Sequence, residues 1–167
     1  TAVRSGAGGR SGVAGRSAEL VPLLAAGGYG IDVFVDERAV AIESARPIAG
    51  AEAPAEGSVR VQSAHDFVWR AARGQYDLVV YQVGNSRLHE FIWPYLFRYP
   101  GLAVVHDARV HHARAEALLS RGRLADYRDE FAWCHPGVDA AAAEFAAMGF
   151  DGVYYYQWPM IRGVIEC

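Results

Sequence analysis

The sequence predicts an α/β domain with a mostly parallel sheet covered by helices on both faces, and three observations carry that prediction. Short β-branched runs alternate with helical stretches of roughly ten or more residues, the pattern of strand, crossover and parallel strand. Two of the runs, Asp77–Val83 and Leu102–Val105, are nearly unbroken in apolar residues, as expected of strands covered on both faces. Each ends on small or polar residues, Gly84-Asn85-Ser86 and His106-Asp107, suited to turning the chain into the next helix.

Taken in order, residues 1–16 are a Gly/Arg-rich stretch without periodicity, expected to be a flexible loop, and residues 17–167 read as a single domain. Ser17 is placed to cap a helix whose apolar stripe is Leu20, Val21, Leu23 and Leu24, with Gly27-Gly28 ending it. A strand Ile31–Val35 follows and stops at Asp36-Glu37, after which residues 39–57 are expected to be irregular with at most a short edge strand. A strand Val59–Val61 leads into a helix His65–Arg73 closed by Gly74. Beyond the strand Asp77–Val83, a helix Arg87–Arg98 carries Pro94, which kinks it or splits it into two short pieces. Tyr99-Pro100-Gly101 turns into the strand Leu102–Val105, and Asp107 is expected to cap the helix after it. Residues 108–147 read as helical, broken at Arg121-Gly122 and His135-Pro136-Gly137. Gly149–Gly152 ends that region, and Val153–Tyr156 reads as a last strand, left at Trp158-Pro159-Met160.

Composition narrows the function classes. A chain of 167 residues, 52% hydrophobic and 21% charged, can build a real core and is neither a disordered segment nor a membrane-spanning helix. A net charge of -3 gives no electrostatic case for a nucleic-acid partner. All 16 basic residues are Arg, so neither a Walker-type phosphate loop nor Schiff-base chemistry can be carried here, since both need a Lys. Two cysteines are too few for a disulfide framework, and residues 1–16 lack the apolar core of a signal peptide, so a cytoplasmic setting is expected. Thr1 in place of an initiating Met is the start expected of a fragment.

In open α/β sheets ligands bind beyond the carboxyl ends of the strands. Three polar clusters fall there: Asp36-Glu37; Gly84-Asn85-Ser86 with His89; and His106-Asp107 with Arg109, His111 and His112. Singly, each reads as turn formers and helix caps; their convergence on one edge is what favours a binding site. A dinucleotide site is disfavoured, because no three glycines have the G-x-G-x-x-G spacing and no apolar strand precedes the first loop. Six histidines raise a metal-dependent hydrolase as an alternative, but His111 and His112 are adjacent and point about 100° apart on a helix, so no metal site is assigned. No cofactor is expected. Most aromatics read as core, with Tyr154–Tyr156 the exception to watch. Arg114, Arg121, Arg123 and Arg128 read as a solvated helical face, and Cys134 as a buried small residue.

The stretches Tyr76–Ser86, His89–Leu96 and Tyr99–Asp107 resemble bacterial family 4 glycosyltransferases, as do Ser11–Ala14 with Ser17–Leu20, and Gly149–Gly152. The similarity covers most of residues 11–162. It implies the Rossmann-like N-terminal, acceptor-side half of a two-domain GT-B enzyme, with the donor-binding C-terminal domain absent. The activity implied is metal-independent, retaining transfer of a sugar from a nucleotide-sugar to an acceptor hydroxyl, and the fragment alone is expected to be inactive. The implied partners are the nucleotide-sugar, bound through the missing domain, and a glycan or lipid-linked acceptor, with peripheral contact to the inner membrane face. Carried over residue by residue, the family's first loop places Gly12 and Val13 by the donor phosphates and its strand-end histidine, here His106, by the transferred sugar. Asn85, His89 and Asp107 are the remaining substrate-side candidates. The chain departs from the family at Gly15-Arg16, where an acidic and aromatic pair is usual, and in the lack of a strand before the loop. A non-catalytic α/β binding module is the competing expectation.

Overall fold

The computed structural model describes residues 12–36, 55–149 and 153–166, and over these the protein is mixed α/β with small parallel sheets. Of the irregular stretch expected at 39–57, residues 39–54 lie outside the described residues, as do residues 1–11 of the expected flexible segment, Glu37 and residues 150–152. The chain divides into two compact units, with the boundary between Gln82 and Val83.

In the first unit, helix α1 (Gly12–Ala26) starts ahead of the Ser17 cap that the sequence suggests, so Gly12–Arg16 form its first turns instead of a loop. Two glycines, at about 1 kcal/mol each, and Pro22 inside the helix all weigh against it, and the good helix formers Ala18–Leu20 and Leu23–Ala26 flank that proline on both sides. Ser17 is accordingly inside the helix and buried rather than its cap. The expected apolar stripe is largely open, with Leu23 70% exposed. The helix ends as expected, the Gly28 N–H donating to the Ala25 carbonyl at 2.9 Å with Gly28 at φ 92°, a conformation that only glycine adopts without strain.

Strand β1 (Ile31–Val35) pairs in parallel with β2 (Val59–Ser63), register partners running from Ile31 with Val59 to Val35 with Ser63. Ser63 then caps α2 (Ala64–Ala71), its hydroxyl accepting from the His65 N–H. Alternation puts Asp32 and Phe34 on one face of β1 and the buried Val33 and Val35 on the other. Phe34 meets Phe67 of α2 edge-on at 5.3 Å and Tyr76 at 5.9 Å. Beside it the Asp32 carboxylate has no solvent exposure and accepts from Arg60, its register partner, at 2.7 and 2.9 Å.

Strand β3 (Val80–Val83) is shorter than expected but well covered, and it is ordered next to β4 (Leu102–Val105) in a second two-stranded sheet. β4 is not the doubly covered strand its apolar run suggests, since Leu102 and Val105 are exposed at its two ends. Between them Pro94 splits the expected helix, giving a 3₁₀-helix (Arg87–Ile92) and a one-turn α3 (Trp93–Leu96).

The second unit is otherwise helical: α4 (His111–Leu119), α5 (Leu124–Cys134), α6 (Ala141–Ala147), α7 (Val153–Gln157) and α8 (Arg162–Ile165). The two expected breaks fall where predicted, and Gly122 at φ 69° supplies the first of them. Ala115, Leu118, Tyr127, Phe131, Ala143 and Met160 form its core. Residues 153–156, expected as a strand, are instead α7. A helical turn lets Tyr154 stack on Phe145 at 5.6 Å while Tyr155 meets His111 edge-on at 4.6 Å, and this packing overrides the β propensity of three tyrosines.

Candidate functional site

In the second unit the loops that follow β3 and β4 come together. The His106 N–H donates to the Val83 carbonyl at 2.9 Å, setting the residue after β4 against the last residue of β3. From the β3 loop, the Asn85 side-chain oxygen accepts from the Ala113 N–H at 3.0 Å. Asn85 therefore satisfies one of the free donors in the first turn of α4 from outside that helix.

Asp107, expected to cap α4, does not reach it. Its carboxylate accepts from the Arg109 N–H at 2.8 Å, closing a tight turn inside the loop. The helix begins only at His111, so residues 108–110 are spent on that turn, and Asn85 caps in its place. The Val110 N–H donates to the Pro159 carbonyl at 2.9 Å and the Arg109 guanidinium lies 5.0 Å over the Tyr156 ring, so the loop is also tied to α7 and the residues after it.

His89 follows in the 3₁₀-helix after the β3 loop. It is 2% exposed, its Nδ1 is 3.0 Å from the Ser86 hydroxyl, and its Nε2 is sealed from solvent without a hydrogen-bond partner. Burial, and after it the charge of His106, holds its pKa below the ordinary histidine value, so the ring is neutral at pH 7. His89 is thus the buried member of the cluster, while His106 and Asp107 are partly exposed. Gly12 and Val13 are the first two residues of α1 in the first unit, in a helix and not in the glycine loop expected of them.

The neighbouring histidines diverge as helical geometry requires. His111 is fully buried with its Nε2 at 2.7 Å from the Tyr127 hydroxyl, and burial pushes its pKa down to about 4. His112, one residue on, lies 3.7 Å from the Glu116 carboxylate, which also faces Arg87 at 3.7 Å. Among the described residues no three His, Cys, Asp or Glu side chains are grouped to hold a metal ion. Burial raises the Cys134 thiol, which keeps it protonated and unreactive at neutral pH.

Two features escaped the sequence reading. The Arg114 group is not a plain solvated face: Arg114 is 7% exposed, bound to Glu130 at 2.6 and 2.5 Å, with its guanidinium 4.5 Å over the Trp93 ring. Its signal was the arginine at 114 facing an acid 16 residues later, a spacing that joins two helices rather than one face. Trp69, expected in the core, is 71% exposed.

The chain matches no protein-family model, no curated protein and no solved structure.

Proposed function

We propose that the chain is the Rossmann-like, acceptor-side domain of a GT-B glycosyltransferase that transfers a sugar, with retention and without a metal, from a nucleotide-sugar to an acceptor hydroxyl. The reading rests on the resemblance of residues 76–107 to family 4 glycosyltransferases, and the observation that carries it is the meeting of the β3 and β4 loops, which joins the Ser86–His89 pair, His106 and Asp107 at one rim. In such a reaction the leaving nucleotide diphosphate gathers negative charge while the sugar becomes oxocarbenium-like, so fixed polar groups must face each. His106 is assigned the sugar side, hydrogen-bonding a hydroxyl of the transferred ring. His89, buried and neutral, belongs to the same cluster. Gly12 and Val13, the first two residues of α1, are assigned the donor phosphates, the role the family resemblance gives them. The donor is held chiefly by a second domain, the acceptor is a glycan or a lipid-linked hydroxyl, and the setting is cytoplasmic with contact at the inner membrane face.

The test is turnover of nucleotide-sugars by the full-length protein. His106→Ala is expected to lower kcat by about a hundredfold or more with the circular dichroism spectrum unchanged, in line with the loss of one preorganised polar contact. Full activity in that variant, or turnover by these 167 residues alone, overturns the assignment.

A further inference from the structure

A cleft of about 290 Å³ opens in the second unit between α3, α4 and the start of α5, apart from the His106 rim. Its floor is buried: Glu90, Trp93 and Arg114 are each under 10% exposed. Its mouth is open, with the Arg123 and Asp126 side chains 54% and 53% exposed. Half-exposed Phe97 supplies an apolar wall.

The charges lining this cleft are matched one to one. Arg114 is held by Glu130 through two hydrogen bonds, Arg121 pairs with Glu90, and Arg123 meets Asp126 at 2.7 Å. A ligand anion entering here meets three carboxylates, and a ligand cation meets three guanidinium groups. Either gains a partner only beside that partner's own counter-charge, which repels it, unless an existing pair breaks and leaves a charge exposed to repulsion or, at Glu90, buried and unpaired. A neutral ligand with many hydroxyls faces neither obstacle. Each arginine keeps donors beyond those its carboxylate uses, and each carboxylate keeps lone pairs, so hydroxyl groups bind both while the ion pairs stay intact. Phe97 offers a surface for the C–H face of a ring. The volume lies at the lower end of what drug-sized ligands occupy, which suits one ring and its substituents.

We propose that this cleft binds a single neutral sugar ring, free or as the terminal residue of a glycan, at a site separate from the His106 rim. The inference stands on the cleft's own charge pairing and does not require the transferase reading. The test follows the NMR signals of the Trp93 indole and the Phe97 ring while the full chain is titrated with glucose, glucuronate and glucosamine. Glucose is expected to give saturable shifts at both, with the anionic and cationic sugars binding about tenfold more weakly. Phe97→Ala, which removes an exposed ring, is expected to weaken glucose binding by about tenfold. Arg123→Ala leaves Asp126 at the mouth without its partner and shifts preference toward glucosamine, while His106→Ala leaves glucose binding unchanged. No saturable shift, tighter binding of glucuronate than of glucose, or shifts that persist unchanged in both Phe97→Ala and Arg123→Ala would overturn the proposal. Loss of glucose binding in His106→Ala would do the same, by moving the sugar to the rim.

Discussion

A carboxylate withdrawn from water is tolerable only when its neighbours replace the lost hydration, and Asp32 shows how many are needed. Arg60 binds it through two hydrogen bonds, the Tyr76 hydroxyl donates at 2.6 Å, Gln62 donates at 3.3 Å and Arg70 stands 3.9 Å away. Burial, then the hydrogen bond to Asp32, raises the Tyr76 pKa, so the phenol stays a donor across the accessible pH range. Removing the acceptor leaves these donors facing one another. Asp32→Ala is therefore expected to destabilise the first unit by about 3 to 5 kcal/mol, the usual cost of breaking a buried pair from one side, as read from the urea midpoint. A change below about 1 kcal/mol would mean that water enters the cluster and the carboxylate is dispensable. Nothing in the local sequence marks this site, because Asp32 sits inside an apolar run and its main partner is 28 residues away. Only the parallel register of β1 and β2, which no local spacing encodes, sets Asp32 opposite Arg60.

At the scale of elements, the ends of helices were more legible than the identity of short segments. Glycines at φ values only glycine accepts mark the ends of α1, α2 and α4, and the break within residues 87–98 falls at Pro94 as expected. The 153–156 segment was misread because tyrosine-rich runs favour strands only when a sheet edge or face is there to receive them, whereas here α4 and α6 present His111 and Phe145. The start of α4 shows the same limit. Both Asn85 and Asp107 are cap-forming residues beside a helix, and local sequence favours Asp107, yet the cap comes from Asn85, 28 residues before the N–H it serves. Asn85→Ala is accordingly expected to cost about 1 kcal/mol and to speed amide exchange at Ala113, while Asn85→Asp largely preserves both. Asp107→Ala is expected to leave Ala113 exchange unchanged, since its carboxylate serves Arg109. Equal effects of the two alanine substitutions at Ala113 would show that the loops move as one and that Asn85 has no separate capping role.

Across the whole molecule the two units differ in how they meet acid. His89, His111 and His135, all in the second unit, have pKa values lowered by burial, His111 to about 4. A group whose pKa is lower folded than unfolded takes up its proton first in the unfolded chain. The stability tied to its neutral form is complete above the unfolded value near 6.5 and is lost as pH falls from there toward the folded value. For His111 alone the loss between pH 6.5 and 4 is on the order of 3 kcal/mol, and His89 and His135 act in the same direction. Part of the candidate rim shares this dependence, because His89 meets Ser86 of the β3 loop and Asn85 is fastened to the helix that begins with His111. Amide exchange measured at pH 7 and again near pH 5, corrected for intrinsic rates, is expected to show protection falling in α4 and α5 before it falls in β1 and β2. His111→Phe keeps an aromatic ring against Phe131 and Tyr155 but leaves the Tyr127 hydroxyl without its partner. That variant is expected to be less stable at pH 7 and to have a much flatter pH profile in the second unit. A profile as steep as that of the unsubstituted protein would assign the acid sensitivity to other groups and remove the buried histidines as its cause.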